Sequence, residues 1–427
     1  CISPQVCSTG VNKMSSFYNK FRDEIVAGGD TIDQPKRIND KRTSLIAGIS
    51  LIGLLVWLGV SSPWTFVFVV GLLISVFLHE MGHFVTARRT GMKVTQFFMG
   101  FGPRLWSMQR GEVEYGIRAL PLGAFVRIVG MNNLDECDPA DEPRAYRAQS
   151  YPKRLLVITA GSLMHGVIAL VLFFGVYATS GRYSETGDVL VTSPPAANSP
   201  AQQSGVVMGD VVREMDGIVI TNRDQFVEQI VSKQPGQSIS VLVDRGGELV
   251  SLNVTLGNNP VDSSLAYFGV ASWSLDYVSV NPIQAVGYAT QDLVVTAGRS
   301  VVGVFVVLNP INIFNSVFDE KADPTTRPGT VVGASQLGGE IGRQDGLKGV
   351  LLLLASVNVF VGVFNMFPLL PFDGGHAAIA TYERIRSRKN RMYRADVEKM
   401  WPVTVVVLTL LLFLTFTGLY LDITRPF

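Results

Sequence analysis

Five apolar runs constrain this chain more than any other feature. They are Leu45–Val60, ended by Ser61-Ser62-Pro63; Trp64–Leu78, continuing apolar into His79–Ala87; Leu155–Thr179; Val350–Phe367; and Val403–Leu421. A helix needs about 20 mostly apolar residues to cross a bilayer, where every backbone polar group must be satisfied within the segment. Runs of this length predict a polytopic α-helical membrane protein with about five transmembrane helices. Composition agrees, with 47% of residues hydrophobic and 17% charged, a shift away from the soluble average. A net charge of +1 supplies no overall field for nucleic acid. Cys1, Cys7 and Cys137 form no CxxC pair, which excludes a disulfide framework and a thiolate metal site. The first 43 residues are polar and mixed in charge; they read as a flexible cytosolic tail, with no cleavable leader.

Lys and Arg flanks orient the spans, because cytoplasmic loops carry the excess. Basic residues precede the first run (Lys36, Arg37, Lys41, Arg42). They recur between the second and third (Arg88 to Arg154) and between the fourth and fifth (Arg384 to Arg394). All three groups fall on one side if Val350–Phe367 runs from outside to inside, which leaves 180–349 extracytoplasmic. Leu293–Leu308 is apolar but short and is interrupted at Gly298-Arg299. It reads as an interfacial or partly buried amphipathic helix, since a sixth span would put 384–394 outside.

Phe77-Leu78-His79-Glu80-Met81-Gly82-His83 carries the chemistry. On a helix, positions i and i+4 share a face, so His79 and His83 can reach one zinc ion, and the adjacent Glu80 can take a proton from water activated there. HExxH alone is only moderately specific. Here an apolar span runs directly into it, and ionisable residues inside a span are functional by default. Catalytic zinc wants a third protein ligand and an open position. Asp373 follows the helix-breaking Pro368 and Pro371 on irregular backbone at membrane depth, which is tolerated only where protein or a cavity surrounds it. The second and fourth spans both run inward, which brings Asp373 to the depth of His79 and His83.

With HExxH on one span and Asn365-Met366-Phe367-Pro368-Leu369-Leu370-Pro371-Phe372-Asp373-Gly374 about 290 residues later, the chain resembles the site-2 proteases. These are intramembrane zinc metalloproteases, and the resemblance is to the bacterial branch with the regulator-of-sigma-E protease and its mycobacterial and actinobacterial members. It implies one zinc per chain held by His79, His83 and Asp373, with Glu80 as the base; His376 is not a family ligand. It implies cleavage of transmembrane segments of anti-sigma-factor-like regulators, and of remnant signal peptides, from a multi-pass position in the bacterial cytoplasmic membrane with the active site toward the cytoplasm. Asn365 is a candidate for binding substrate or steadying the oxyanion. So is His165, where many relatives carry Asn; alternatively His165 only bonds a neighbouring helix. In the family, the region of Phe98–Pro103 and the alternating runs after it form a membrane-associated β-hairpin or sheet, which offers a strand edge to substrate.

Gln203-Ser204-Gly205 to Asp216-Gly217 resembles the signature of a bacterial PDZ domain, an extracytoplasmic α+β module whose groove takes a peptide. Gly329–Gly342 resembles the loop before the last core helix in the family. The expected organisation is a tail (1–43), an extra N-terminal transmembrane helix (44–62), the first segment of the protease core (63–179) and a PDZ-like domain (185–275). An amphipathic helix and loop (276–349) and the second segment of the protease core (350–421) complete it. A non-catalytic PDZ scaffold would not need Glu80. A transporter predicts inverted repeats, which are not seen.

Overall fold

The computed structural model describes residues 41–131, 137–260, 262–270, 272–319, 323–387 and 393–426. The polar tail, apart from its last three residues, lies outside them. Two compact units are present: Gly175–Gly287, and the remainder of the chain.

The larger unit begins with helix α1 (Lys41–Ser61) and helix α2 (Pro63–Arg89). Pro63 suits the first turn of α2, where its missing N–H costs no hydrogen bond. Leu45, Ile49, Ile52, Trp57 and Val60 of α1 are exposed, as suits a helix whose solvent is lipid. Strands β1 (Val94–Arg110) and β2 (Val113–Ile128) each double back, which turns two strands into four rungs. Residues 96–99 pair on one side with 124–127 and on the other with 114–117, and 104–110 pairs with 113–118. The free edges are therefore 104–110 and 120–128. The reversal within β1 needs Gly100 at φ 89°, where a Cβ would meet the Leu120 carbonyl oxygen at 2.7 Å. The expected sheet is thus present, with Phe101, Trp106, Met108, Ile117 and Leu120 exposed on it. Helix α3 (Tyr151–Ser180) follows.

The smaller unit is a twisted sheet of β3 (Arg182–Val191), β4 (Val211–Met215), β5 (Ser238–Arg245), β6 (Glu248–Thr255) and β7 (Ser272–Val278), in the order β7–β3–β4–β5–β6. Period-2 burial in β5 places Ile239, Val241 and Val243 in the core with Val189, Val212, Val254 and Leu256. Helix α4 (Arg223–Val231), capped by the Asn222 side chain, adds Phe226 and Ile230. Between α4 and residues 266–270 lies a cavity of about 310 Å³. Asp210, fully buried, receives two hydrogen bonds from Arg245 and one from the Val207 amide.

Helix α5 (Pro282–Val307) is a correction to the reading of Leu293–Leu308 as a short segment. It starts at Pro282 and runs 26 residues, long and apolar enough to cross a membrane. Thr290, Gln291 and Asp292 interrupt the hydropathy without interrupting the helix. Among the described residues, five helices meet that measure: α2, α3, α5, α7 (Val331–Asn365) and α9 (Trp401–Thr424); the apolar stretch of α1, Leu45–Ser61, is shorter. Two further helices, α6 (Pro310–Phe318) and α8 (Asp373–Arg386), lie on either side of α7 in sequence.

Helix α7 is itself two helices. Gly346 has φ 66° and ψ −150°, backbone open in practice only to glycine, and the chain reverses there. Before it, Gly338, Gly339 and Gly342 pack against Phe68, Thr65 and Trp64, antiparallel to α2; after it, Leu354 meets Gly71 and Asn358 meets Ser75, parallel to α2. Residues read as a loop, Gly329–Gly342, are thus mostly helix, and their glycines admit α2 at close range. The start of α7 is fixed by buried Asp422 of α9, which accepts from the Thr330 and Gly333 amides, the Thr330 hydroxyl and Arg327. Phe305 of α5 faces Phe367, while Leu293, Ala297 and Val301 line a cavity with Val359, Gly362 and Val363. The end of α5 thus lies near the end of the second half of α7.

Candidate active site

His79 and His83 sit one turn apart on the buried face of α2, with Nε2 atoms 3.2 Å apart. The chain leaves α7 after Asn365, turns through Pro368 and Pro371, and restarts at Asp373, the first residue of α8. Asp373 Oδ2 lies 3.5 Å from His79 Nε2 and 3.3 Å from His83 Nε2. Among the described residues these are the His, Cys, Asp or Glu side chains whose donor atoms converge. A tetrahedral ion with bonds near 2.0–2.1 Å requires donors separated by about 3.3–3.4 Å. The triangle of 3.2, 3.3 and 3.5 Å has that size, so the donor set fits zinc.

Several contacts hold this triangle. His83 Nδ1 donates to the Val157 carbonyl at 2.7 Å, the outer hydrogen bond that fixes which nitrogen faces a metal. His79 Nδ1 is buried without such a partner. Arg154 of α3 pairs with Glu383 of α8 at 2.7 Å, and Tyr151 bonds Thr381 at 3.2 Å. These contacts tie α8 to α3. Gly374 and Gly375 complete the loop: a Cβ on either would meet the backbone of Met366 or Leu369 at 2.2 or 2.6 Å.

Glu80 Oε1 lies 3.9 Å from His79 Nε2, and the backbone of Val126, on the edge strand 120–128, faces the Glu80 carboxylate. Asn365 Nδ2 donates to Asp373 Oδ2 at 2.8 Å and lies 3.3 Å from His79 Nε2. The His165 ring is 4.9 Å from that of His79, and its Nδ1 is 2.8 Å from Asn358 Oδ1 on α7. Every site residue singled out in the sequence therefore lies at this one centre.

Three residues escaped the sequence reading. Gly161 faces both imidazoles: a Cβ there would lie 2.3 Å from His83 Nε2 and 2.7 Å from His79 Nε2. Gly82 lets α3 approach, since its Cβ would strike the Ala160 carbonyl at 2.7 Å. Asn358 is buried and bridges Ser75 and His165. A polar residue seven positions before Asn365, in an otherwise apolar span, was the available signal for it.

A helical membrane protein with a His-His-Asp triad and a glutamate beside it, sunk among its spans, defines the class of intramembrane zinc metalloproteases. The chain belongs to one family of that class, peptidase family M50, whose model matches residues 67–412. It is 33% identical over 399 residues to zinc metalloprotease Rip1 of Mycobacterium tuberculosis, covering 84% of this chain and 96% of that one. To Rip1 of Mycolicibacterium smegmatis it is 35% identical (80% and 92% covered), and to a putative zinc metalloprotease of Clostridium perfringens 29% (73% and 85%). Solved structures similar to a portion of the chain include the PDZ domain of an SdrC-like protein from Listeria monocytogenes, 20% identical with TM-score 0.19, covering 21% of this chain and 90% of that one. Another is the HtrA-type protease AlgWS227A with a decapeptide, 30% identical with TM-score 0.17, covering 18% and 23%. The protein is a multi-pass zinc metalloendopeptidase.

Proposed function

We propose that His79, His83 and Asp373 hold the zinc, that Glu80 moves the protons of hydrolysis, and that the substrates are transmembrane segments of single-span regulators of the anti-sigma-factor kind, with remnant signal peptides as a variant. The observation that carries this is the convergence of three donor atoms, from helices 290 residues apart, into a triangle sized for zinc with a carboxylate beside it. Zinc, when bound, acidifies water and polarises a carbonyl. Glu80 takes the proton of the attacking water and returns it to the leaving nitrogen. The Asn365 amide, an N–H donor at the edge of the triangle, steadies the carbonyl oxygen as charge develops there. Strand 120–128, with Val126 against Glu80, gives an unwound substrate an edge to pair with.

The orientation follows from charge. With the basic stretches cytoplasmic, 182–278 is extracytoplasmic and the triad lies toward the cytoplasmic side. Asp422, in the last turn of α9 and so extracytoplasmic in this orientation, holds Thr330 and Gly333; α7 therefore begins on that side, before Val350–Phe367 runs inward. The groove between α4 and 266–270 takes a peptide strand, with Phe226 and Ile230 at its base. The direct test is Glu80→Gln: zinc is retained, cleavage of single-span reporters is lost, and uncut substrates accumulate in the membrane. Wild-type cleavage by Glu80→Gln removes the mechanism.

A further inference from the structure

Hydrogen bonding around Asn358 assigns His165 a single tautomer, and the assignment separates its role from that of Asn365. Asn358 Nδ2 donates to the Leu354 carbonyl at 2.8 Å and to Ser75 Oγ at 3.0 Å. A carbonyl oxygen can only accept, so the amide has one orientation and Oδ1 is the atom turned to His165. Oδ1 also only accepts, so His165 Nδ1, 2.8 Å away, carries the hydrogen. In a neutral imidazole the other nitrogen then holds a lone pair. The ring centroid lies 4.9 Å from that of His79. A nitrogen without hydrogen cannot steady an oxyanion.

We infer that His165 is a hydrogen-bond acceptor in the catalytic chamber, and that its Nε2 takes a main-chain N–H of the bound polypeptide while Asn365 supplies the opposite, donating contact. An extended substrate offers both kinds of group to its surroundings, and a membrane-embedded site must satisfy each. His165 is on this account a positioning residue for substrate. The inference rests on the proteolytic reading only for its second half; the tautomer follows from Ser75, Leu354, Asn358 and His165 alone.

The chain contains four histidines, so solid-state ¹⁵N NMR of histidine-labelled protein resolves the ring in question, identified as the signal missing from His165→Asn. Glu80→Gln protein should show His165 protonated at Nδ1 and bare at Nε2, with or without zinc, and Asn358→Leu should give a mixture of tautomers. Adding an uncut single-span substrate to Glu80→Gln protein should shift the Nε2 signal. In kinetics, His165→Phe should raise KM about three- to tenfold with kcat less changed, and His165→Asn, which keeps an acceptor oxygen, should recover most of the loss. The opposite tautomer, a doubly protonated ring, an Nε2 signal indifferent to substrate, or an unchanged KM in His165→Phe each overturns the proposal. If instead the protease reading fails, wild-type protein cleaves nothing while the tautomer persists.

Discussion

Gly161→Ala is the smallest substitution that should empty the metal site. The added methyl would stand 2.3 Å from His83 Nε2, 2.5 Å from His79 Cε1 and 2.7 Å from His79 Nε2. Ordinary contact begins at 3.4 Å, so these distances fall short by about 0.7 to 1.1 Å. Neither imidazole can give way cheaply. His83 is held by the Val157 carbonyl at 2.7 Å, and α2 is pressed against α3 where Gly82 faces Ala160. Metal sites tolerate ligand displacements of about 0.2 Å, and disturbing outer-shell partners alone costs 10–100-fold in affinity. A displacement several times the tolerance, acting on two proposed ligands together, should weaken zinc by at least about 100-fold, or roughly 2.7 kcal/mol. Purified protein should be assayed for zinc per chain by mass spectrometry after dialysis, and for cleavage of a single-span reporter. Gly166→Ala is the matched control, five residues along the same helix, where a Cβ meets nothing within 4 Å; it should keep both zinc and activity. If Gly161→Ala keeps one zinc per chain and wild-type cleavage, the steric reasoning is refuted.

Asp373→Ala should lose stoichiometric zinc together with activity while inserting normally, and Asp373→Glu should do partial harm because one methylene displaces the carboxylate; about one zinc per Asp373→Ala chain would exclude Asp373 as a ligand. A cysteine at Ser232 in a cysteine-free background should react with an impermeant reagent on intact cells, and one at Ser387 should not; the reverse pattern breaks the proposed orientation. In the small unit, burial pushes the Asp210 carboxyl up, but the Arg245 guanidinium and the Val207 amide outweigh it and leave the group below its ordinary value. A depressed folded value means that the stabilisation is complete above about pH 4 and lost as pH falls below it. Hydrogen exchange in β4 and β5 should therefore accelerate below pH 4. Asp210→Ala should remove about 2 kcal/mol at neutral pH, less than a fully buried pair is worth because Arg245 is 38% exposed; unchanged exchange in that variant would show the pair to be idle.

Much of the site was legible because its chemistry is carried by residues that apolar spans otherwise exclude. His79, Glu80, His83 and Asp373 stood out against their surroundings, and helix geometry plus a shared depth was enough to join them. The small unit was legible for a different reason: the signature from Gln203 to Gly217 is a local signal. What stayed hidden depends on partners. The helix before Gly346 has too many glycines and charges to read as a helix until α2 is placed against it. The first half of α5 is disguised by Thr290, Gln291 and Asp292. Gly161 matters through an atom it lacks, and that void acquires a meaning only when two imidazoles face it.

The separation of the proposed zinc ligands along the chain has a consequence for biosynthesis. His79 and His83 leave the ribosome some 290 residues before Asp373, and at 5–20 residues per second that interval is roughly 15–60 s. Throughout it, the nascent helix α2 carries two imidazoles and no third donor, while α3 and the smaller unit are being made. Even after Asp373 emerges, it reaches its place only when the reversal at Gly346 has laid the second half of α7 beside α2 and the Arg154–Glu383 pair has docked α8. A cutting centre completed last, by a distant strip of its own sequence, is silent while neighbouring spans of the same chain are still being threaded into the bilayer.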